Sequence, residues 1–149
     1  MTAYHLAQLN IAQLAHPIDS PPLTDFVANI ERINALAEKT SGFIWRYQTP
    51  VGDTLEAELF GADHIVNMSV WVDKAALHHY VYHTAHIEIM RRKQEWFENM
   101  RESHMVLWWV PVGCQPSLIE AREKLQGLRQ QGVSPQHFSF KQDFPAPAN

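Results

Sequence analysis

At 149 residues the chain is most simply one domain, long enough to bury a real core. Its net charge of −4, with no basic cluster beyond Arg91-Arg92-Lys93, argues against a nucleic-acid surface. Cys114 is the only cysteine, which excludes an internal disulfide; with no signal-peptide pattern or membrane-length apolar run, a cytoplasmic protein without a membrane partner is expected.

Tyr4 to Gln13 alternates as a strand does: Tyr4, Leu6, Gln8, Asn10 and Ala12 share one face, and His5, Ala7, Leu9, Ile11 and Gln13 the other. Pro17 and Pro21-Pro22 end it and start a helix with a stripe of Phe26, Ile30, Ile33 and Ala37, stopped by Gly42. A second strand from Phe43 to Tyr47 is expected to put Phe43, Trp45 and Tyr47 together, with Arg46 opposite. Thr49 to Asp63 reads as a turn, then a short hairpin strand over Leu55 to Phe60.

Ile65 to Val72 is a third strand, with Val66, Met68, Val70 and Val72 on one face and Ile65, Asn67, Ser69 and Trp71 on the other. Neither is a solvent face. Asp73 caps the helix that follows, and Thr84 looks like a second cap that breaks it between Tyr82 and Ala85. His86, Ile89, Met90, Lys93, Trp96, Phe97 and Met100 then step by three and four along one further helix. His104 to Pro111 is the last main strand. Ser117 with Glu120 makes a capping box for a final helix with a core stripe of Leu118, Ala121, Leu125 and Leu128, closed by Gly132. Phe138 and Phe140 suffice for a short docked strand, before a frayed end over 145–149.

This order predicts an α+β fold, a ferredoxin-like βαββαβ antiparallel sheet with an extra C-terminal helix. Helices would cover one face. Both faces of the strands are apolar or aromatic, so a second copy is expected on the other, giving a homodimer.

The pieces LAQLNIA, GFIWRYQ, IVNMSVW, YHTAHIEIMRRKQEWF, LWWVPVG, PSLIEAREKLQGLRQQG and SPQHFSF together resemble a bacterial domain-of-unknown-function family of the dimeric α+β barrel superfamily. The resemblance runs over nearly the whole chain and implies the fold and the dimer, but no assigned activity. The superfamily includes antibiotic-biosynthesis and heme-degrading monooxygenases. In the heme-degrading group an Asn on the first strand, a Trp on the third and a His on the next helix surround the porphyrin. Asn10 and Trp71 stand in comparable places here, while the helical position is Val81, flanked by His79 and His83.

The chemistry-bearing residues concentrate between Asn67 and Met100. On an unbroken helix His79, His83 and His86 would share one face and could hold a metal or offer heme an axial ligand; no metal set is assigned, since Thr84 is expected to interrupt the helix and exposed or carbonyl-bound imidazoles fit better. His86 and Lys93 lie on an apolar stripe, as a base and its neighbour or as a satisfied core His and a snorkelling Lys. His5 and His104 form a cross-strand pair if their strands are neighbours. Asn10, Asn67 and Ser69 make a polar row beside Trp45 and Trp71, suited to a small-molecule pocket or to a core stripe with satisfied amides. The leading expectation is a small-molecule site with His86, His83 and Asn10 catalytic and Trp45, Asn67, Ser69 and Trp71 binding substrate. Monooxygenase-like oxidation of a hydrophobic or aromatic metabolite would need no cofactor. A heme protein using His83 or His86 and a non-catalytic binding domain are the alternatives.

Overall fold

The computed structural model describes residues 3–50 and 52–147; the last two residues of the expected frayed end, 148–149, lie outside them. Four antiparallel strands, β1 (Tyr4–Gln13), β2 (Phe43–Arg46), β3 (His64–Trp71) and β4 (Met105–Pro111), form one sheet in the order β2-β3-β1-β4. The chain crosses from β1 to β2 through α1 (Thr24–Lys39), entered by a 3-10 turn at Pro21–Leu23. Between β3 and β4 come α3 (Lys74–His83), α4 (His86–Arg91) and α5 (Lys93–Trp96). After β4, α6 (Leu118–Gln131) folds back on the sheet. No helix among the described residues is long and apolar enough to cross a membrane.

The period-two alternation sorts two cores onto opposite faces of this sheet. One holds Leu6, Trp71, Leu107 and Phe43 under Ala37 of α1, Leu77 and Tyr80 of α3, and Phe138 of the tail. The other holds Ala7, Leu9, Met68, Val70, Val106 and Trp108 under Leu118, Ala121, Leu125 and Leu128 of α6. Its strand residues are almost completely buried within the single chain. The apolar second face that suggested a partner copy is therefore covered by the chain's own last helix. Trp108 ties the two layers, its Nε1 donating to Glu120 Oε2 at 2.7 Å.

Several expected caps form, the Ser117 capping box only in its serine half, since Glu120 accepts from Trp108. Asp73 accepts from Ala76 N at 2.9 Å, and Ser117 Oγ accepts from Glu120 N at 3.1 Å. Thr84 is extended (φ −125°, ψ −178°) and ends α3. The tail adds a single bridge to the outer edge of β4, Phe138 to Leu107, with both amides bonded at 2.9 Å.

Other expected elements differ. Leu55–Phe60 is a helix, α2, not a strand: Asp53 accepts from Leu55 N at 2.8 Å, and Leu55, Leu59 and Phe60 lie against the α6-side core. The helix expected from His86 to Met100 breaks at Arg92 (φ −100°, ψ 8°) and ends at Trp96. Sheet-like bonds from Ala15 N to Trp96 O (2.9 Å) and from Glu98 N to Gln13 O (2.8 Å) draw the chain out along the end of β1; tertiary pairing overrides the helical period. Lys93 is exposed rather than on a buried stripe. His5 pairs with Val110 while His104 O accepts from Ile11 N, so antiparallel pairing places these two histidines at opposite ends of the β1–β4 ladder.

Candidate functional site

On the face covered by α1 and α3, the row Leu6, Gln8, Asn10 of β1 runs beside Trp71, Ser69, Asn67 of β3 in direct register. A polar side chain in such a place must find a partner, and here the row satisfies itself. Gln8, 4% exposed, donates through Nε2 to Asn67 Oδ1 at 2.7 Å and Ser69 Oγ at 2.8 Å. Ser69, 6% exposed, also accepts from Trp71 Nε1 at 2.8 Å. Trp71 is fully buried between Phe43, at 5.4 Å edge-on, and Tyr80, stacked at 5.1 Å. Tyr80 is in turn 4.9 Å from the His86 ring.

One end of this row is open. Asn10 and Asn67 sit opposite each other on the two central strands and face the helical layer, yet both are exposed. The two exposed amides form a solvent-facing window at this end of the row, with Gln8 bonded behind Asn67.

His86 stands at the break after α3. Thr84 Oγ1 accepts from His86 N at 3.3 Å, and His86 Nδ1 lies 3.3 Å from Val81 O. A carbonyl only accepts, so Nδ1 carries the proton and Nε2 is the lone-pair nitrogen. Burial lowers the His86 pKa, with the Val81 carbonyl opposing it; the ring is neutral at neutral pH. Burial likewise raises the pKa of Tyr80, opposed by the charge of Arg46, and its hydroxyl donates to Ile33 O at 3.2 Å.

Of the residues expected at a site, Asn67, Ser69, Trp71 and His86 fall in one chain of contacts through Gln8 and Tyr80, and Asn10 joins by register. Trp45 does not. A β-bulge in β2 sets Phe43 against Trp71 but Trp45 against Val70; Ile44 is the extra residue, so Phe43 and Trp45 point to opposite faces. Trp45 and Tyr47 pack with the α6-side core. His83 is also outside, exposed on α3 and 5.8 Å from His79 in a stacked pair. With His78, His79 and Lys74 it lines an open groove. The break at Thr84 separates His86 from this group, and no three metal-ligating side chains converge among the described residues. Gln8, Tyr80 and Arg46 were not among the expected site residues. The shared row of Gln8 and Asn10 was the available signal for the first; Tyr80 and Arg46 have none in sequence.

A separate cleft of about 480 Å³ opens on the other face, between α2, α6, the end of β1 and the segment after α5.

Comparison with known proteins is consistent with this fold and silent on activity. No curated protein matches. The solved structure of PA3566 from Pseudomonas aeruginosa is similar at 13% identity and a TM-score of 0.50, covering 76% of this chain and 99% of that one. A protein of unknown function from Nitrosomonas europaea, NE2512, is similar at 15% identity and a TM-score of 0.48, covering 76% and 94%. A family described as a domain of unknown function, DUF3291, matches residues 5–149, and the chain belongs to that family.

Proposed function

We propose that this chain binds a small apolar or aromatic molecule at the window over Asn10 and Asn67, with monooxygenase-like oxidation as its activity. The observation that carries this is the run of contacts from the open Asn67 amide, with Asn10 opposite it in register, through Gln8, Ser69, Trp71 and Tyr80 to a neutral imidazole. The Asn10 and Asn67 amides would hold an oxyanion as it develops on an electron-rich substrate. His86 Nε2 would take the proton, and dioxygen would be the oxidant, one oxygen atom entering the substrate and the other leaving as water, with all four electrons drawn from a phenol or quinol as it becomes a quinone. The heme alternative rests on His86 Nε2 alone, because His83 is exposed away from the row.

The ferredoxin-like reading is supported by the order strand, helix, strand, strand, helices, strand, with α2 inserted between β2 and β3. A dimeric barrel closed by two sheets face to face has less support, since α6 already occupies that face.

The test is oxygen uptake and calorimetric binding with a panel of phenols and quinols. Asn10→Ala, Asn67→Ala and His86→Gln are each expected to lower binding or turnover by about tenfold or more. Binding and turnover unchanged in all three would remove the proposal. A Soret shift on adding heme that disappears in His86→Ala would favour the heme alternative instead.

A further inference from the structure

The cleft on the opposite face is built differently from the window. Its lining is mostly polar, with an apolar patch made by Leu59, Phe60 and Met100, which lie partly buried over Ile11 and Leu125 of the α6-side core. Its rim is cationic. Arg122, Leu125, Gln126 and Arg129 all line it, at steps of three and four that place them on one stripe of α6. Arg101 lines it from the loop before β4. The chain as a whole carries a net charge of −4, yet this lining holds three arginines and one carboxylate, Glu102.

The existing counter-charges are already engaged. Glu102 Oε2 meets Arg129 Nη1 at 3.3 Å, and Arg129 Nε donates to Ser103 O at 2.7 Å. Behind the rim, Asp63 accepts from Gln13 Nε2 at 2.9 Å and lies 2.9 Å from His64 Nδ1; the Gln13 bond first, with His64 adding, holds its carboxyl below the usual range. Arg101 and Arg122 have no ion pair among the described residues. Two uncommitted guanidinium groups and an apolar patch suit a molecule with an anionic head and an apolar body. The volume, about 480 Å³, is in the range of small-molecule sites.

We propose that this cleft is a binding site for an amphipathic carboxylate, its head on Arg101 and Arg122 and its body over Leu59, Phe60 and Met100. Planar forks bind carboxylates in two-point contact, and the apolar patch favours a chain or ring over a bare anion. The site is independent of the window, on the far side of the sheet.

The test uses the full chain and three probes: decanoate, decanol and inorganic phosphate. Calorimetry is expected to show decanoate binding at least about tenfold tighter than either of the others. Arg101→Gln and Arg122→Gln, both at exposed positions, are each expected to weaken decanoate by about fivefold to tenfold with unchanged circular dichroism, and added salt should do the same. Lys39→Gln, an equal charge change on α1, should leave it unaltered. No decanoate binding, equal affinity for decanol, or arginine variants that bind like the parent would each overturn the proposal.

Discussion

Replacing Ser69 by Ala probes the polar row at its centre. One hydroxyl oxygen accepts from both Gln8 Nε2 and Trp71 Nε1, each at 2.8 Å, and the serine is 6% exposed. Without it the indole N–H of a fully buried Trp71 has lost the one acceptor it has here, while Gln8 keeps Asn67 Oδ1 at 2.7 Å. An unsatisfied buried donor costs about 1–3 kcal/mol and a lost shared bond about 1 kcal/mol, so Ser69→Ala should destabilise by roughly 2–4 kcal/mol. That is a large part of the ~5–15 kcal/mol that holds a domain together. Urea unfolding followed by tryptophan fluorescence measures it, with the slope of the transition checked for constancy. Asn67→Ala removes only a bond at the exposed end of the row, and about 1 kcal/mol or less is expected. A Ser69→Ala cost no larger than that of Asn67→Ala would refute the view that the serine organises the row.

The His86 pKa is depressed in the folded protein, so the unfolded chain binds more protons between that value and the ordinary value of about 6.5. Stability should therefore fall as pH drops below about 6.5 and level off under the folded pKa. The difference between the parent and His86→Gln, followed by urea unfolding at several pH values, isolates that slope; parallel profiles would count against it. Gly42 has φ +90° and its missing Cβ would meet Ala76 Cβ at 2.4 Å, whereas Gly113 at φ +91° has nothing within 4 Å. Gly42→Ala should cost about 2–3 kcal/mol and Gly113→Ala about 1 kcal/mol in thermal unfolding, and equal costs would contradict the close approach of α3. Leu125→Ala should lose about 2–5 kcal/mol without altering the mass found by sedimentation; a change of mass would make the α6 face a subunit interface.

The strands were legible because a period of two, read over long runs such as Tyr4 to Gln13, leaves few alternatives. Caps at Asp73 and Ser117 were legible for a local reason: each carboxylate or hydroxyl sits three residues before the amide it accepts from. The Leu55–Phe60 helix was missed although its Asp53 cap is local; the other misreadings were decided by pairing at a distance. A single bulge at Ile44 reversed the face of Trp45, and bonds from the end of β1 ended a helical period that looked sound to Met100. Apolar residues on both strand faces suggested a second chain; α6, whose core stripe was itself correctly read, covers one of those faces within the chain, and a homodimer is not shown. The polar row was readable as a row, but its connection to His86 runs through Tyr80, whose place depends on how α3 lies on the sheet.

The most direct measurement of the central claim is a titration of the assigned Asn10 and Asn67 side-chain amide resonances, with the His86 ring signals, against a panel of small phenols. The account predicts that a binder moves all three groups together at one saturating concentration, and that Asn10→Ala abolishes the movement at His86. Binders that shift only residues on the α6 face, or a panel that leaves all three groups unmoved, would contradict it.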